Sequence, residues 1–107
     1  MLPDGRYSAY FQANDQDGMG VIELNAGRLT GGDTIISYFG TYSQDGDRFT
    51  ASIRTERHSS GHAALFGHDN VDISVTGTSK DSTGAGTGHV KQLPGAIFQV
   101  VLVRMPE

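Results

Sequence analysis

The chain has 107 residues, of which 15 are glycine and none is cysteine, and its 8 basic and 12 acidic side chains give a formal net charge of −4. This length suits one small domain, so we expect a single unit over residues 1–107. The missing cysteine excludes a disulfide framework and thiolate chemistry, while scattered basic residues and a negative charge argue against direct contact with nucleic acid.

The glycine content predicts an all-β protein. Glycine makes up about 14% of the chain, roughly twice its average usage, which disfavours helices and suits tight turns. In the first half, polar and apolar residues alternate between glycine-bearing turns, a pattern typical of an antiparallel meander. The first three strands are predicted over Gly5–Ala13, 19–24 and 28–30. On the first strand, Tyr7, Ala9 and Phe11 share one face.

Five more strands are predicted in the rest of the chain. They cover 34–43, Arg48–Arg57, 71–76, 83–91 and 96–105, with the last turn at 93–95. The clearest alternation places Phe49, Ala51 and Ile53 opposite charged and hydroxyl side chains, so we expect one face of that strand in the core. Residues 58–68 lack a strand pattern, and 63–66 could form one helical turn that closes an end of the molecule.

Eight strands in a meander predict a closed barrel, because only closure removes the sheet edges that promote aggregation. We therefore expect an eight-stranded antiparallel up-and-down, lipocalin-like barrel with at most one short helix. The interior of such a barrel is filled by side chains or holds one small ligand. Tyr7, Phe11, Phe49 and Ile53 are the candidate residues around an apolar ligand. The tyrosines could instead simply fill the interior, and the pattern leaves both alternatives open.

The last predicted strand is apolar on both faces. One face carries Ile97, Val101 and Val103, and the other carries Phe98, Val100 and Leu102. A barrel has one dry interior, so the second face requires a packed helix or another subunit. We expect a homodimer through residues 96–105, with Val100, Val101, Leu102 and Val103 as the candidate interface. The sequence does not decide which face points inward.

The histidines do not form a convincing metal site. His58 and His62 are spaced to share a helical face, and His68 and His89 complete the set of four. Zinc sites commonly use cysteine or a Glu-x-x-His arrangement, and neither is present. We expect these histidines on the rim or surface, without a metal.

Two other motifs also receive structural interpretations. Asp15 with Asp17, and Asp45 with Asp47, fit turns beside glycine and lack the remaining ligands of a calcium loop. Residues 84–88 (GAGTG) resemble a phosphate cradle, but no helix follows them, so we expect a glycine-rich strand that approaches another backbone. No serine stands in a nucleophile elbow. We therefore expect neither an active site nor a cofactor.

The composition at the ends of the chain bears on location. Residues 1–4 are acidic and lack the basic start and apolar run of a secretory signal. The longest aliphatic run, residues 100–103, is far shorter than the roughly 20 residues that cross a bilayer. We expect a cytoplasmic protein that does not span a membrane.

Several short elements in the first half carry a family resemblance. They are Asp4-Gly5-Arg6-Tyr7-Ser8, Phe11, Gly18-Met19-Gly20, Leu29-Thr30-Gly31-Gly32-Asp33, Gly40-Thr41-Tyr42 and Asp45-Gly46-Asp47. Together they resemble the family of GrlR-like negative regulators of type III secretion. The resemblance covers roughly residues 4–57.

The resemblance implies a lipocalin-like barrel that regulates by binding and catalyses nothing. In this family, the founding repressor forms a dimer and sequesters a transcriptional activator through an exposed acidic run in a loop. The matching positions are Gln44, Asp45, Gly46 and Asp47, of which two are acidic. We therefore expect a regulatory binding protein that acts through protein–protein contact. The alternative is a carrier or sensor of a small apolar ligand.

Overall fold

Eight antiparallel strands close into one barrel in the computed structural model, which describes residues 1–13, 16–33, 36–57 and 70–106. The strands are Gly5–Ala13 (β1), Gln16–Asn25 (β2), Arg28–Gly32 (β3), Ile36–Asp45 (β4), Arg48–Arg57 (β5), Asp72–Lys80 (β6), Thr83–Val90 (β7) and Leu93–Arg104 (β8). Each strand pairs with the next, and β8 pairs with β1. The predicted all-β, eight-stranded up-and-down barrel is confirmed, without a helix in the described residues. The predicted helical turn at 63–66 lies outside them.

The alternation of side chains along each strand determines the interior. On β1, Tyr7 and Ala9 are buried, whereas Tyr10 is exposed. On β8, the buried residues are Phe98, Val100 and Leu102, and Ile97, Val101 and Val103 point outward. The structure thus decides the orientation of the two-faced last strand.

The last turn and the start of β8 differ from the prediction. Lys91 and Gln92 form the turn, and β8 begins at Leu93 instead of residue 96. Proline disfavours the helical region for the residue before it, so Pro94 keeps Leu93 extended and in the strand. Leu93 pairs with Val90, next to a register shift at His89 and Val90.

Glycines on the inner face of the barrel make room for two aromatic rings. The Phe98 ring lies over Gly88, its cross-strand partner, where an added Cβ would overlap the ring. The Phe49 ring covers Gly77 and Gly84, where an added Cβ would lie 2.7 and 3.2 Å from ring carbons. The interpretation of residues 84–88 as a glycine-rich strand that approaches another backbone is confirmed, since an added Cβ at Gly86 would lie 2.7 Å from the Thr76 carbonyl oxygen.

Candidate functional site

The interior of the barrel contains a partly open apolar cavity of about 60 Å³. The side chains of Ala9, Phe11, Phe49, Ile53 and Phe98 form part of its wall, and the lining of described residues is wholly apolar. A cavity with such a lining tends to stay dry, because water finds no hydrogen-bond partners in it. Its chemistry therefore suits an apolar occupant.

Three of the four predicted ligand residues meet at this cavity. Phe11, Phe49 and Ile53 line it, whereas Tyr7 lies outside the lining. Tyr7 is fully buried, and its hydroxyl donates to the Pro3 carbonyl oxygen at 2.5 Å. Burial raises the pKa of the Tyr7 phenol, an effect that the nearby Arg104 opposes. Tyr7 thus packs the barrel wall and anchors the start of the chain.

Two further tyrosines present their rings to the cavity and their hydroxyl groups to its ends. The Tyr38 hydroxyl donates to Asp33 Oδ2 at 2.7 Å, and the Tyr42 hydroxyl donates to Asp4 Oδ1 at 3.0 Å. Burial, followed by the hydrogen bond to Asp33, raises the pKa of Tyr38 far above its ordinary value. Burial and the bond to Asp4 likewise raise the pKa of Tyr42. A molecule in the cavity would therefore meet aromatic carbon.

Aromatic rings pack edge to face beside the cavity. The Phe11 ring centroid lies 5.7 Å from that of Tyr38 and 6.3 Å from that of Phe98. Such T-shaped pairs contribute about 0.5–1.5 kcal/mol beyond the area they bury. This cluster fixes the shape of one side of the interior.

Residues 1–4, which we call the N-terminal strap, lie across the barrel end formed by the β2–β3 and β4–β5 turns. The Leu2 side chain is 3% exposed and lines the cavity. The Leu2 N–H donates to Gln44 Oε1 at 2.7 Å, and Gln44 Nε2 donates to the Leu2 carbonyl oxygen at 3.0 Å. One side-chain amide therefore satisfies both backbone groups of Leu2.

Met1 and Asp4 of the strap contact the two surrounding turns and β8. The Met1 amino group lies 3.1 Å from Asp47 Oδ1. The Asp4 carboxylate accepts a 3.3 Å bond from the Ala26 N–H, and the Asp4 carbonyl oxygen accepts from Arg104 Nη2 at 3.1 Å. The sequence interpretation missed the strap, because contacts between single residues far apart in the chain leave no periodic signal.

The predicted partner-binding residues form the end of β4 and the turn after it. Asp45, Gly46 and Asp47 are exposed, and Gly46 has a φ of 62°, which glycine adopts readily. Gln44 is half-buried and pairs with Leu2. The two carboxylates are thus exposed to solvent, whereas the strap already engages Gln44 and, through the Met1 amino group, Asp47.

The structure corrects half of the predicted dimer interface. Val100 and Leu102 are 5% and 6% exposed on the inner face of β8, so they cannot contact another subunit. Val101 and Val103 are 40% and 42% exposed on the outer face. The alternation of a strand forces this division, because successive side chains point to opposite faces.

The two outward valines belong to a larger surface that the sequence interpretation did not identify. We call it the outer apolar patch, and it consists of Tyr10, Met19, Val21, Val101 and Val103. Tyr10 stands opposite both Met19 and Val101, and Ser8 stands opposite both Val21 and Val103. The patch therefore runs across β8, β1 and β2. Each of its residues is at least 40% exposed.

The described residues contain no group of three His, Cys, Asp or Glu side chains that could hold a metal ion. His89 is exposed on β7. The predictions for His58, His62 and His68, and for Asp15, fall outside the described residues. The described part of the chain also has no helix with the length and apolar character of a membrane span.

Comparison with known proteins gives no assignment. No protein-family model matches the chain, and no curated protein matches it.

Proposed function

We propose that this protein is a non-enzymatic regulatory binding protein that acts through protein–protein contact. The outer apolar patch carries the proposal, because exposed apolar side chains that adjoin one another commonly mark a protein interface. The regulatory role follows the resemblance of residues 4–57 to GrlR-like negative regulators. The apolar surface of the interior supports binding over catalysis, because Tyr38 and Tyr42 present their rings to it and direct their hydroxyl groups to Asp33 and Asp4.

The surroundings of the outer apolar patch also suit an interface. In the register of β1 and β2, Arg6 stands opposite Glu23 on one side of the patch, and Gln12 stands opposite Asp17 on the other. All four of these flanking residues are exposed. An apolar centre with a polar border is the usual anatomy of a protein interface.

The partner that we propose for the patch is a second copy of the chain. A two-fold dimer uses the same surface on both subunits, so a single apolar patch suffices to build it. The acidic turn, with Asp45 and Asp47, lies outside this patch and is exposed, so we propose it as the surface that contacts a transcriptional activator. In this proposal the protein acts in the cytoplasm and does not contact nucleic acid directly.

The dimer is tested by Val101→Lys, which places a charge within the patch. We expect light scattering to show a dimer for the native chain at micromolar concentration and a folded monomer for the variant. Thr76→Lys, at an exposed outward position on β6, serves as the control and should remain dimeric. A native chain that is monomeric at this concentration would contradict the dimer.

The contact through the acidic turn is tested by affinity capture from the native host. We expect the native chain to retain a transcriptional regulator and the double variant Asp45→Lys/Asp47→Lys to lose it. Glu56→Lys changes the charge of an exposed residue near the opposite end of β5 and should retain the partner. If the double variant captures the same regulator equally well, the acidic turn is not the binding surface.

A small apolar ligand is the second candidate, favoured by the wholly apolar cavity. Its volume of about 60 Å³ is far below the roughly 300–1,000 Å³ of ordinary ligand pockets, so the ligand must be very small or displace a side chain. Native mass spectrometry of protein from its own host should show a bound apolar molecule. A ligand-free protein would contradict this candidate and leave the first unaffected.

A further inference from the structure

The Gln44 side chain forms the two hydrogen bonds with the Leu2 backbone that a neighbouring β-strand would form. It accepts from the Leu2 N–H at 2.7 Å and donates to the Leu2 carbonyl at 3.0 Å. These bonds involve only backbone atoms of the bound residue, so they would form with any extended segment. In peptide recognition of this kind, backbone bonds supply affinity and a pocket for the side chain supplies selectivity.

The pocket in this case is the end of the barrel interior. The Leu2 side chain reaches the inner face of β7, where a Cβ added at Gly84 would lie 3.5 Å from both Leu2 methyl carbons. Leu2 is 3% exposed in this position. A pocket with apolar walls accepts an aliphatic side chain and rejects a charged one, because a buried charge without a partner is costly.

A negative charge stands beside the pocket. The Met1 amino group lies 3.1 Å from Asp47 Oδ1, and Asp45 is exposed nearby on the same turn. A cation at the position before the aliphatic residue therefore meets a complementary surface. This exposed ion pair adds more to orientation than to affinity.

We propose that the barrel end at Gln44 is a peptide-binding site that the N-terminal strap occupies within the same chain. Its ligand is an extended segment of a partner protein with a cationic group directly before a leucine-sized aliphatic residue. The inference rests on the proposed function in assuming that the acidic turn binds a protein. It adds that this partner replaces the strap, which makes the strap autoinhibitory.

Competition within the chain determines how the site would behave. A tethered segment has an effective concentration in the millimolar range, so a free peptide competes poorly while the strap is in place. A substitution that expels Leu2 should therefore raise the affinity for a peptide in solution. Leu2→Asp meets this requirement, since the aspartate carboxylate is unsuited to the apolar pocket.

The experiment uses the full chain and a peptide with the sequence of residues 1–6, labelled at its carboxyl end. We expect the Leu2→Asp protein to bind this peptide about tenfold more tightly than the native chain, as fluorescence anisotropy measures. Adding Gln44→Ala should weaken binding about tenfold, since both backbone bonds are lost. Adding Thr76→Ala, at an exposed outward position on β6, should change nothing. A peptide that itself carries Leu2→Asp should not bind.

A folded Leu2→Asp protein that binds the peptide no more tightly than the native chain would overturn the proposal. So would an affinity for the peptide that stays the same when Gln44→Ala is added. If Leu2→Asp does not fold, Leu2→Ser replaces it.

Hydrogen exchange of the native chain gives an independent measure, because the Leu2 amide must exchange faster than amides released only by global unfolding. Equal rates would show that the strap is not released. All these assays use purified protein, so they can fail while capture of a regulator succeeds, and the reverse.

Discussion

The tyrosines of the barrel wall keep their rings among apolar side chains and direct their hydroxyl groups to fixed acceptors. Tyr38 uses Asp33, Tyr42 uses Asp4, and Tyr7 uses the Pro3 carbonyl. Two of these acceptors belong to the strap, so the phenols hold the strap in place as well as filling the interior. Leucine could not form these hydrogen bonds, because it has no polar group at the end of its side chain.

These hydroxyl groups make stability depend on alkaline pH. The pKa values of Tyr7, Tyr38 and Tyr42 are raised in the folded chain above the ordinary value of 10.0. Their contribution to stability is therefore fully present below about pH 10 and is lost as the pH rises from there toward the folded-state values. We expect the denaturant midpoint to fall above about pH 10, and phenolate absorbance to show ionisation above the ordinary pKa.

The matched variant for this prediction is Tyr38→Phe, which removes the phenol that donates to Asp33. Its denaturant midpoint should depend less steeply on alkaline pH than that of the native chain. It should also be destabilised by about 1 kcal/mol at neutral pH, the usual net value of one hydrogen bond. Equal pH dependence of the two proteins would contradict the assignment.

At the scale of single residues, the sequence predicts side chains that follow the period of a strand but not contacts between residues far apart in the chain. The alternation on β1 and β5 correctly grouped Phe11, Phe49 and Ile53, because each follows the period of its strand. Leu2 and Gln44 carry no such pattern, and their contact spans 42 positions of the chain. A contact of this kind depends on how the barrel closes, which the local sequence does not express.

At the scale of the element, the packing of β7 against the interior side chains depends on its glycines. The Phe98 ring fills the space over Gly88, and the Phe49 ring does the same over Gly84. This pairing also explains why Phe98 faces inward. Both faces of β8 are apolar, so its own sequence could not decide the orientation, but only the inner face has glycines opposite it to receive a ring.

The cost of filling this space can be measured with Gly88→Ala. We expect a loss of about 1–3 kcal/mol in the free energy of unfolding, because the added methyl group overlaps the Phe98 ring and the ring must shift. Gly95→Ala is the control, since an added Cβ there meets no atom within 4 Å, and it should change stability by less than about 0.5 kcal/mol. Similar urea midpoints for the two variants would contradict this account of β7.

Element boundaries were predicted less well than element identity. The alternating segments all became strands, since a half-buried pleated surface requires that pattern. The prediction ended the chain reversal after Gly95, whereas β8 already begins at Leu93. Glycine and proline mark turns only on average, and here the extended geometry that Pro94 imposes favours the strand.

At the scale of the whole molecule, closure depends on the pairing of the first and last strands. Tyr7 stands opposite Arg104 and Gln12 opposite Gln99, so this seam joins residues from nearly opposite ends of the chain. The other pairings join strands that are neighbours in sequence. Closing a long loop costs entropy before its contacts are made, so we expect the seam to form late in folding.

Two leucine variants test the order of these events. Leu102 lies in β8 at the seam, and Leu24 lies in the β2–β3 hairpin, opposite Leu29. Both Leu→Val changes should cost about 1 kcal/mol. We expect stopped-flow kinetics to show that Leu24→Val slows folding and that Leu102→Val chiefly speeds unfolding. If Leu102→Val slows folding as much as Leu24→Val does, the seam forms early.

The glycines beneath the two phenylalanine rings also make the capacity of the barrel adjustable. The backbone wall at Gly77, Gly84 and Gly88 is already as thin as a polypeptide allows, and Phe49 and Phe98 occupy the room it leaves. Both rings line the existing cavity. Shortening either side chain would therefore enlarge one continuous chamber without changing any strand. In a barrel built in this way, one substitution at a phenylalanine can change a filled interior into one with space for a ligand.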